Sequence, residues 1–329
     1  MTTVLLFAAA LGVAAAIAVI ACLFWDETRS PRLECLMYHR FVTPAEYRQL
    51  RGADRIYSVS TRQFEEQLRY LKDRGYHCVT MADAVAFAAG RRELPQPAVL
   101  ITIDDGSRCA LDRAQPVLAR LGMRGTLFVT TDPKAEVFHA NEPAHARLSD
   151  LELREINPDV IEIAAHGVSH RPLTSLSNGE LAGELRGSRE ELERVLGRPV
   201  HYLAAPGGWY DDRVRRFAEA AGFEGVWTSE VGTVRPGHDP LALRRVLVSG
   251  TYGSTAFAEL LTPRGIVERR LLKTMQHIPQ RLLGPRVWTP IGKALRSVLP
   301  ARSSLALLIG LGVMVSASAG AAFWLRRAG

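Results

Sequence analysis

Two short runs in this chain carry residues that do chemistry when brought together: Ile101-Thr102-Ile103-Asp104-Asp105-Gly106 and, further along, His166-Gly167-Val168-Ser169-His170. An apolar stretch over residues 98–103 reads as a buried strand that ends in two adjacent carboxylates and a glycine, the usual exit from a strand into a turn. A second apolar stretch, 160–165, ends in two histidines spaced i, i+4. Two imidazoles and one carboxylate can hold a divalent ion with a position left open for water, while the other carboxylate stays free to take a proton. Each half alone has an ordinary reading: Asp-Asp as a turn or helix cap, His-x-x-x-His as a solvated helix face. Those readings give no reason for both runs to end strands of one domain, so the chemical reading is preferred.

The elements that must position these residues follow from hydrophobic periodicity. Strands are expected over residues 33–39, 76–80, 98–104, 125–130, 160–165, 200–205, 225–228 and 243–248. Helices are expected over 61–74, 81–89, 111–121, 178–196 and 212–221, the fourth of these starting at an Asn178 cap. Such alternation with short turns predicts a parallel α/β barrel whose site gathers at the C-terminal ends of the strands. Residues 133–150 form a polar insertion that carries His139 and His145 as surface residues.

The order Thr102-Ile103-Asp104-Asp105-Gly106, then His166 through His170, then Leu203-Ala204-Ala205-Pro206-Gly207-Gly208, resembles the polysaccharide deacetylases of the NodB-homology type, carbohydrate esterase family four. Leu36-Met37-Tyr38-His39-Arg40, Gly125-Thr126-Leu127-Phe128-Val129 and Tyr210-Asp211-Asp212 agree with it. The resemblance implies a distorted (β/α) barrel of about seven strands. It also implies hydrolysis of N-acetyl groups on aminosugars, with Asp105, His166 and His170 as metal ligands and Asp104 as general base. The turn Pro206-Gly207-Gly208, with Tyr210 beside it, is expected on the substrate and oxyanion side, where a backbone N–H would stabilise developing negative charge. An Asp/His₂ set suits Zn²⁺ first and also Co²⁺ or Ni²⁺.

Three features depart from the family pattern. The arginine that commonly precedes the proline and steadies the base is replaced by Ala204 and Ala205. The Ser or Thr usual after the first motif histidine is Gly167. The late Leu-x-His that supplies a general acid is missing after Pro240. The variant resembling poly-N-acetylglucosamine deacetylases places that histidine on the first strand, which here is His39.

At 329 residues and 47% hydrophobic, the chain suffices for one barrel-sized core plus appendages. Residues 4–25 and 305–325 are apolar runs long enough to cross a bilayer as helices, and 33–262 is the expected deacetylase barrel between them. The first run lacks a basic leading region and a small-x-small cleavage site, so it reads as a span and not a cleaved leader. Arg326 and Arg327 after the second run place that end in the cytoplasm, and with two spans the barrel lies outside it.

The net charge of +7 is concentrated. Between Arg264 and Arg302 stand nine Lys/Arg against the single acid Glu268, interleaved with apolar residues, so the segment 264–302 reads as interfacial and drawn to anionic lipid headgroups. Pro279, Pro285 and Pro290 are expected to break it. No nucleic-acid recognition module accompanies the charge. Cys22, Cys35, Cys78 and Cys109 form no disulfide framework, and only Cys109 lies close in sequence to the Asp pair. The expected partner is an N-acetylated glycan or polyprenyl-linked aminosugar. The alternative is a glycan-binding or membrane assembly protein whose site has degenerated.

Overall fold

The computed structural model describes Ala14, residues 17–135 and residues 146–283. Its strands are β1 (Leu33–Tyr38), β2 (Arg40–Val42), β3 (Ser58–Ser60), β4 (His77–Cys78), β5 (Ala98–Ile103), β6 (Gly125–Val129), β7 (Ile161–Ala165), β8 (Tyr202–Ala204), β9 (Gly225–Trp227) and β10 (Val246–Leu247). Seven strands run in the order β10-β1-β5-β6-β7-β8-β9, with β4 added on β5, and β2 pairs separately with β3. Every pairing is parallel. The result is a curled half-barrel in which Trp227 of β9 bridges to Leu243, in the segment that leads into β10.

The helices that cover it are α2 (Pro44–Gln49), α3 (Gly52–Tyr57), α4 (Thr61–Asp73), α5 (Met81–Ala88), α6 (Gln115–Leu121), α7 (Asp150–Glu155), α8 (Asn178–Leu196), α9 (Asp212–Ala220) and α10 (Ser254–Leu260). The helix α1, described over residues 17–28, and α11 (Pro263–Leu283) flank this unit in sequence. The α8 cap is Ser177, not Asn178: its hydroxyl accepts from Glu180 N while the Glu180 side chain reaches back, a reciprocal capping box.

Side chains alternate between the two faces of a strand, and this divides the core. Val99, Ile101 and Ile103 of β5, Ile161, Ile163 and Ala165 of β7, and Leu203 of β8 pack outward against α4, α6, α8, α9 and α10. Ala98, Leu100, Ala164, Tyr202, Ala204, Trp227 and Leu243 point to the concave side, which α5 fills with Met81, Val85 and Phe87. Strands covered on both faces read as near-continuous apolar runs; β5 is buried end to end, and its one polar side chain, Thr102, donates to Leu36 O at 2.9 Å.

Residues 30–261 form one compact unit, and the flanking segments belong to a second. Within the second, Arg270 donates to Asp26 at 2.9 Å and Glu27 at 2.7 Å. α11 continues through Pro279; a proline costs one backbone hydrogen bond without necessarily ending a helix. Among the described residues no helix is long and apolar enough to cross a membrane. Most of the expected first span, 4–25, and all of the second, 305–325, lie outside the described residues, as does segment 284–302.

Candidate functional site

The same alternation delivers the chemistry to the concave rim. Asp104 continues the inward register of Leu100, and His166 that of Ala164. Asp104 N donates to Tyr38 O and His166 N to Val129 O, both at 2.9 Å, so both residues are still held by the sheet. Asp105 would by register face the outer helices. Instead its φ is +80°, which turns the chain and brings the second carboxylate to the rim. His170 likewise has φ +60°. Left-handed backbone is costly for residues with a Cβ, and the two non-glycine residues with positive φ among the described residues are both members of one cluster.

Asp105, His166 and His170 offer ligand atoms that all lie within 4.8 Å of one another. Asp105 Oδ1 is 3.6 Å from His166 Nε2 and 3.4 Å from His170 Nε2. His166 Nδ1 is 2.8 Å from the Ala204 carbonyl; an Nδ1–H donated there leaves the Nε2 lone pair facing Asp105. Burial alone would push the Asp105 carboxyl up, but the facing imidazoles of His166 and His170 outweigh it and hold it well below the usual range. One carboxylate and two imidazole nitrogens facing a common point fit a divalent ion with open positions.

The loop carrying His170 is anchored from outside itself. Glu184 on α8 accepts from Val168 N at 2.7 Å and Ser169 N at 2.9 Å, and Ser169 Oγ donates to its other oxygen. Gly167 has φ +75°, and a Cβ there would stand 3.2 Å from Glu184 Oε2 and 3.4 Å from the Pro206 ring. The family hydroxyl missing at Gly167 thus corresponds to a position crowded by the Glu184 carboxylate.

Asp104, 3% exposed, is gripped by Arg245, whose Nη1 and Nη2 donate to its two oxygens at 2.5 and 2.9 Å. Arg245 is itself fixed: Nε donates to Thr228 O at 3.0 Å, Nη1 reaches Thr102 Oγ1 at 3.3 Å, and the guanidinium lies 5.4 Å from the Phe128 ring centre. Burial would raise the Asp104 pKa, yet Arg245, then His166 and His39, keep it below the ordinary carboxylate value. The arginine expected before Pro206 is therefore supplied by the other end of the sheet. Sequence reasoning missed it because no motif names it. The usable signal was two arginines, Arg244 and Arg245, inside the strand-like run Leu243–Val248, one of which alternation sends inward.

His39 follows β1 and completes the rim. Its ring stands edge-on to Tyr57 at 5.0 Å, and Nδ1 is buried without a hydrogen-bond partner among the described residues. Burial lowers its pKa, only partly opposed by Asp105 and Asp104. In the Pro206 turn, Gly208 N donates to Ala205 O at 2.8 Å and Trp209 N to Pro206 O at 3.3 Å. A Cβ at Gly208 would collide with Ser229, so the turn is wedged against the β9 exit. Tyr210 donates its hydroxyl to Leu241 O and packs on the outer core, placing its ring in the support of the turn. Cys109 is buried with its sulfur accepting from Phe41 N at 3.3 Å, outside the Asp-His-His group. His139 and His145 lie outside the described residues.

Comparison with known proteins agrees with this geometry. Residues 91–226 match the polysaccharide deacetylase family profile. YxkH of Bacillus subtilis, a protein named for the polysaccharide deacetylases, is 26% identical over 234 residues, covering 71% of this chain and 77% of its own. A Staphylococcus aureus poly-beta-1,6-N-acetyl-D-glucosamine N-deacetylase is 24% identical over 203 residues, 59% of this chain and 68% of that one. Among solved structures, the Streptococcus pyogenes deacetylase PplD superposes with a TM-score of 0.59 at 22% identity, over 73% of this chain and 98% of that one. The chain therefore carries a polysaccharide deacetylase domain of the NodB type, carbohydrate esterase family four, with the fold of a carbohydrate N-deacetylase.

Proposed function

We propose that this protein hydrolyses N-acetyl groups on the aminosugars of a surface polysaccharide or lipid-linked glycan, with Asp105, His166 and His170 holding a divalent ion and Asp104 acting as base. The observation that carries the reading is the division of labour between adjacent carboxylates: Asp105 sits among the imidazoles, while Asp104 is turned from them into the fork of Arg245. A bound ion of this kind polarises a carbonyl and lowers the pKa of water. Asp104, kept ionised by Arg245, takes the proton of the attacking water. The Gly207 N–H of the Pro206 turn would serve as oxyanion partner. His39, once it carries a proton as imidazolium, gives that proton to the departing nitrogen and returns to neutral imidazole; its Nδ1 has no hydrogen-bond partner among the described residues and is the free position for this. The amide C–N bond breaks, giving acetate and an amine.

A relative named for poly-beta-1,6-N-acetyl-D-glucosamine supports the substrate class. The competing reading, a glycan binder with a degenerate site, rests on the missing arginine, and the Arg245 contact with Asp104 weighs against it. For location, the sequence supports an integral protein of the cytoplasmic membrane with its catalytic unit outside: apolar runs at 4–25 and 305–325 and nine basic residues between Arg264 and Arg302. The test is acetate release by the purified full chain from N-acetylglucosamine oligomers, with metal content measured before and after chelation. Release that follows metal content supports the reading; no release from any metal-loaded preparation overturns it.

A further inference from the structure

His39 stands at a joint: β1 ends at Tyr38, and β2 begins at Arg40 in a different sheet. Other reactive side chains of the rim are aimed by a polar neighbour, Asp104 by Arg245 and His166 by the Ala204 carbonyl. His39 Nδ1 has no hydrogen-bond partner among the described residues, so the aim of the ring rests on the main chain that enters and leaves it.

One run, Asp104 to Arg113, holds both sides of that joint. On the entering side Asp104 N donates to Tyr38 O at 2.9 Å. On the leaving side Phe41 N donates to Cys109 Sγ at 3.3 Å, and Phe41 O accepts from Arg113 Nη1 at 2.9 Å. β2 pairs with β3 alone, and these two side chains satisfy main-chain groups that a further strand would otherwise bond. Cys109 precedes and Arg113 lies within a π-helical turn, Ala110–Ala114, a rare form that recurs at functional sites. The Arg113 fork is itself gripped by Glu46 of α2 at 2.7 and 3.1 Å, and Glu46 also accepts from Thr43 N at 2.6 Å. Burial raises the Cys109 thiol pKa, so its sulfur acts here as a hydrogen-bond acceptor and not as a nucleophile.

We infer that Cys109 and Arg113 are positioning residues for the proton donor: they fix the exit of β1, so that one segment both carries the base and sets the place of His39. This rests on the deacetylase reading above. A displacement near 1 Å in a reacting group lowers a rate by about 10²-fold. Neither side chain belongs to the Asp-His-His group, so their removal leaves the metal ligands in place.

The experiment uses the full chain loaded with Zn²⁺. N-acetylglucosamine oligomers serve as the amide, and an aryl acetate as an ester whose leaving group departs without protonation. For Cys109→Ala and Arg113→Met, kcat on the amide is expected to fall about 10–100-fold, with KM little changed and ester hydrolysis close to the parental rate. Cys109→Ser, whose hydroxyl also accepts from Phe41 N, and Arg113→Lys, which keeps a donor for Phe41 O, recover part of the loss. In a His39→Ala background the same substitutions produce no further loss on the amide, as coupled residues do. Equal losses on amide and ester, or losses that multiply with that of His39→Ala, overturn the proposal. Circular dichroism identifies the folded variants, and Cys109→Ser and Arg113→Lys carry the amide-to-ester comparison if the truncations do not fold. Hydrogen exchange over residues 39–43 reads the clamp without turnover: exchange at least about tenfold faster in the variants supports it, and unchanged exchange overturns it. A parent that releases no acetate from the amide ends the deacetylase reading, while exchange still decides the clamp.

Discussion

Arg245 and Asp104 stand 141 residues apart in sequence and meet through two parallel hydrogen bonds in a buried pair. Taking two charges out of water costs several kcal/mol per ion, so such a pair is a weak source of stability. What it does accomplish is orientation. With both oxygens of Asp104 claimed by one planar fork, the carboxylate cannot swing toward the imidazoles that hold Asp105.

Arg245→Lys keeps the charge and loses the fork. Its kcat is expected to fall about 10²-fold with KM little changed, the size of a positional error in a reacting group. Arg245→Met removes the charge that opposes burial, so the Asp104 pKa rises and the base becomes protonated at higher pH. The acid limb of the pH–rate profile therefore moves upward. Profiles of both variants against the parent check this, with circular dichroism confirming folding. An unmoved acid limb in folded Arg245→Met would separate Asp104 from the rate-limiting proton transfer.

Asp105→Asn, His166→Ala and His170→Ala each remove one of three ligand side chains and are expected to lose bound metal. Asp104→Asn retains it and loses about 10²–10⁴-fold in turnover. Metal analysis of the four dialysed variants decides. Should Asp104→Asn come out metal-free while Asp105→Asn stays loaded, the two carboxylates have exchanged roles.

His39→Ala is expected to keep metal and fold while deacetylating about 10²–10⁴-fold more slowly. An aryl acetate, whose leaving group departs without protonation, should be hydrolysed by this variant at close to the parental rate. Equal losses on amide and ester would make His39 a structural residue. In metal-free protein, burial keeps His39 neutral, and the unfolded chain binds its proton more readily. Stability due to this group is thus present above an unfolded pKa of about 6.5 and is lost as pH falls below it. The His39→Ala variant should show a shallower decline of melting temperature across that window.

Glu184 touches no proposed ligand, yet it holds the backbone that forces His170 into its left-handed conformation. Glu184→Gln is expected to weaken metal affinity by about 10–100-fold, as supporting groups around a metal do. Competition with a chromogenic chelator measures it. Unchanged affinity in Glu184→Gln and Glu184→Ala alike would show that the loop sustains its own shape.

The membrane reading predicts that the protein stays with the membrane after carbonate washing and that residues 30–261 are cut by protease added from outside the cytoplasm. A catalytic unit protected until the cytoplasm is opened would reverse the orientation.

Much of the site was legible because period-2 alternation and strand-end chemistry are local. An apolar run ending in Asp104-Asp105-Gly106 and another ending in His166 fixed which residues reach a rim, and the spacing to His170 completed a metal-ligand set. Relations between distant segments were not legible. That Arg245 replaces the missing arginine depends on β10 pairing beside β1, opposite the β5 end that carries Asp104, and no local pattern encodes that neighbour. That Glu184 stands where Gly167 has no side chain depends on α8 packing over the β7 exit. The sequence by itself determined the alternating fold, the apolar face of each strand and the identity of the reactive groups, because these follow from short-range periodicity. Only the tertiary structure decided which charge faces which carboxylate and which side chains hold the exit of β1, because burial and Coulomb energy depend on distance in space and not along the chain.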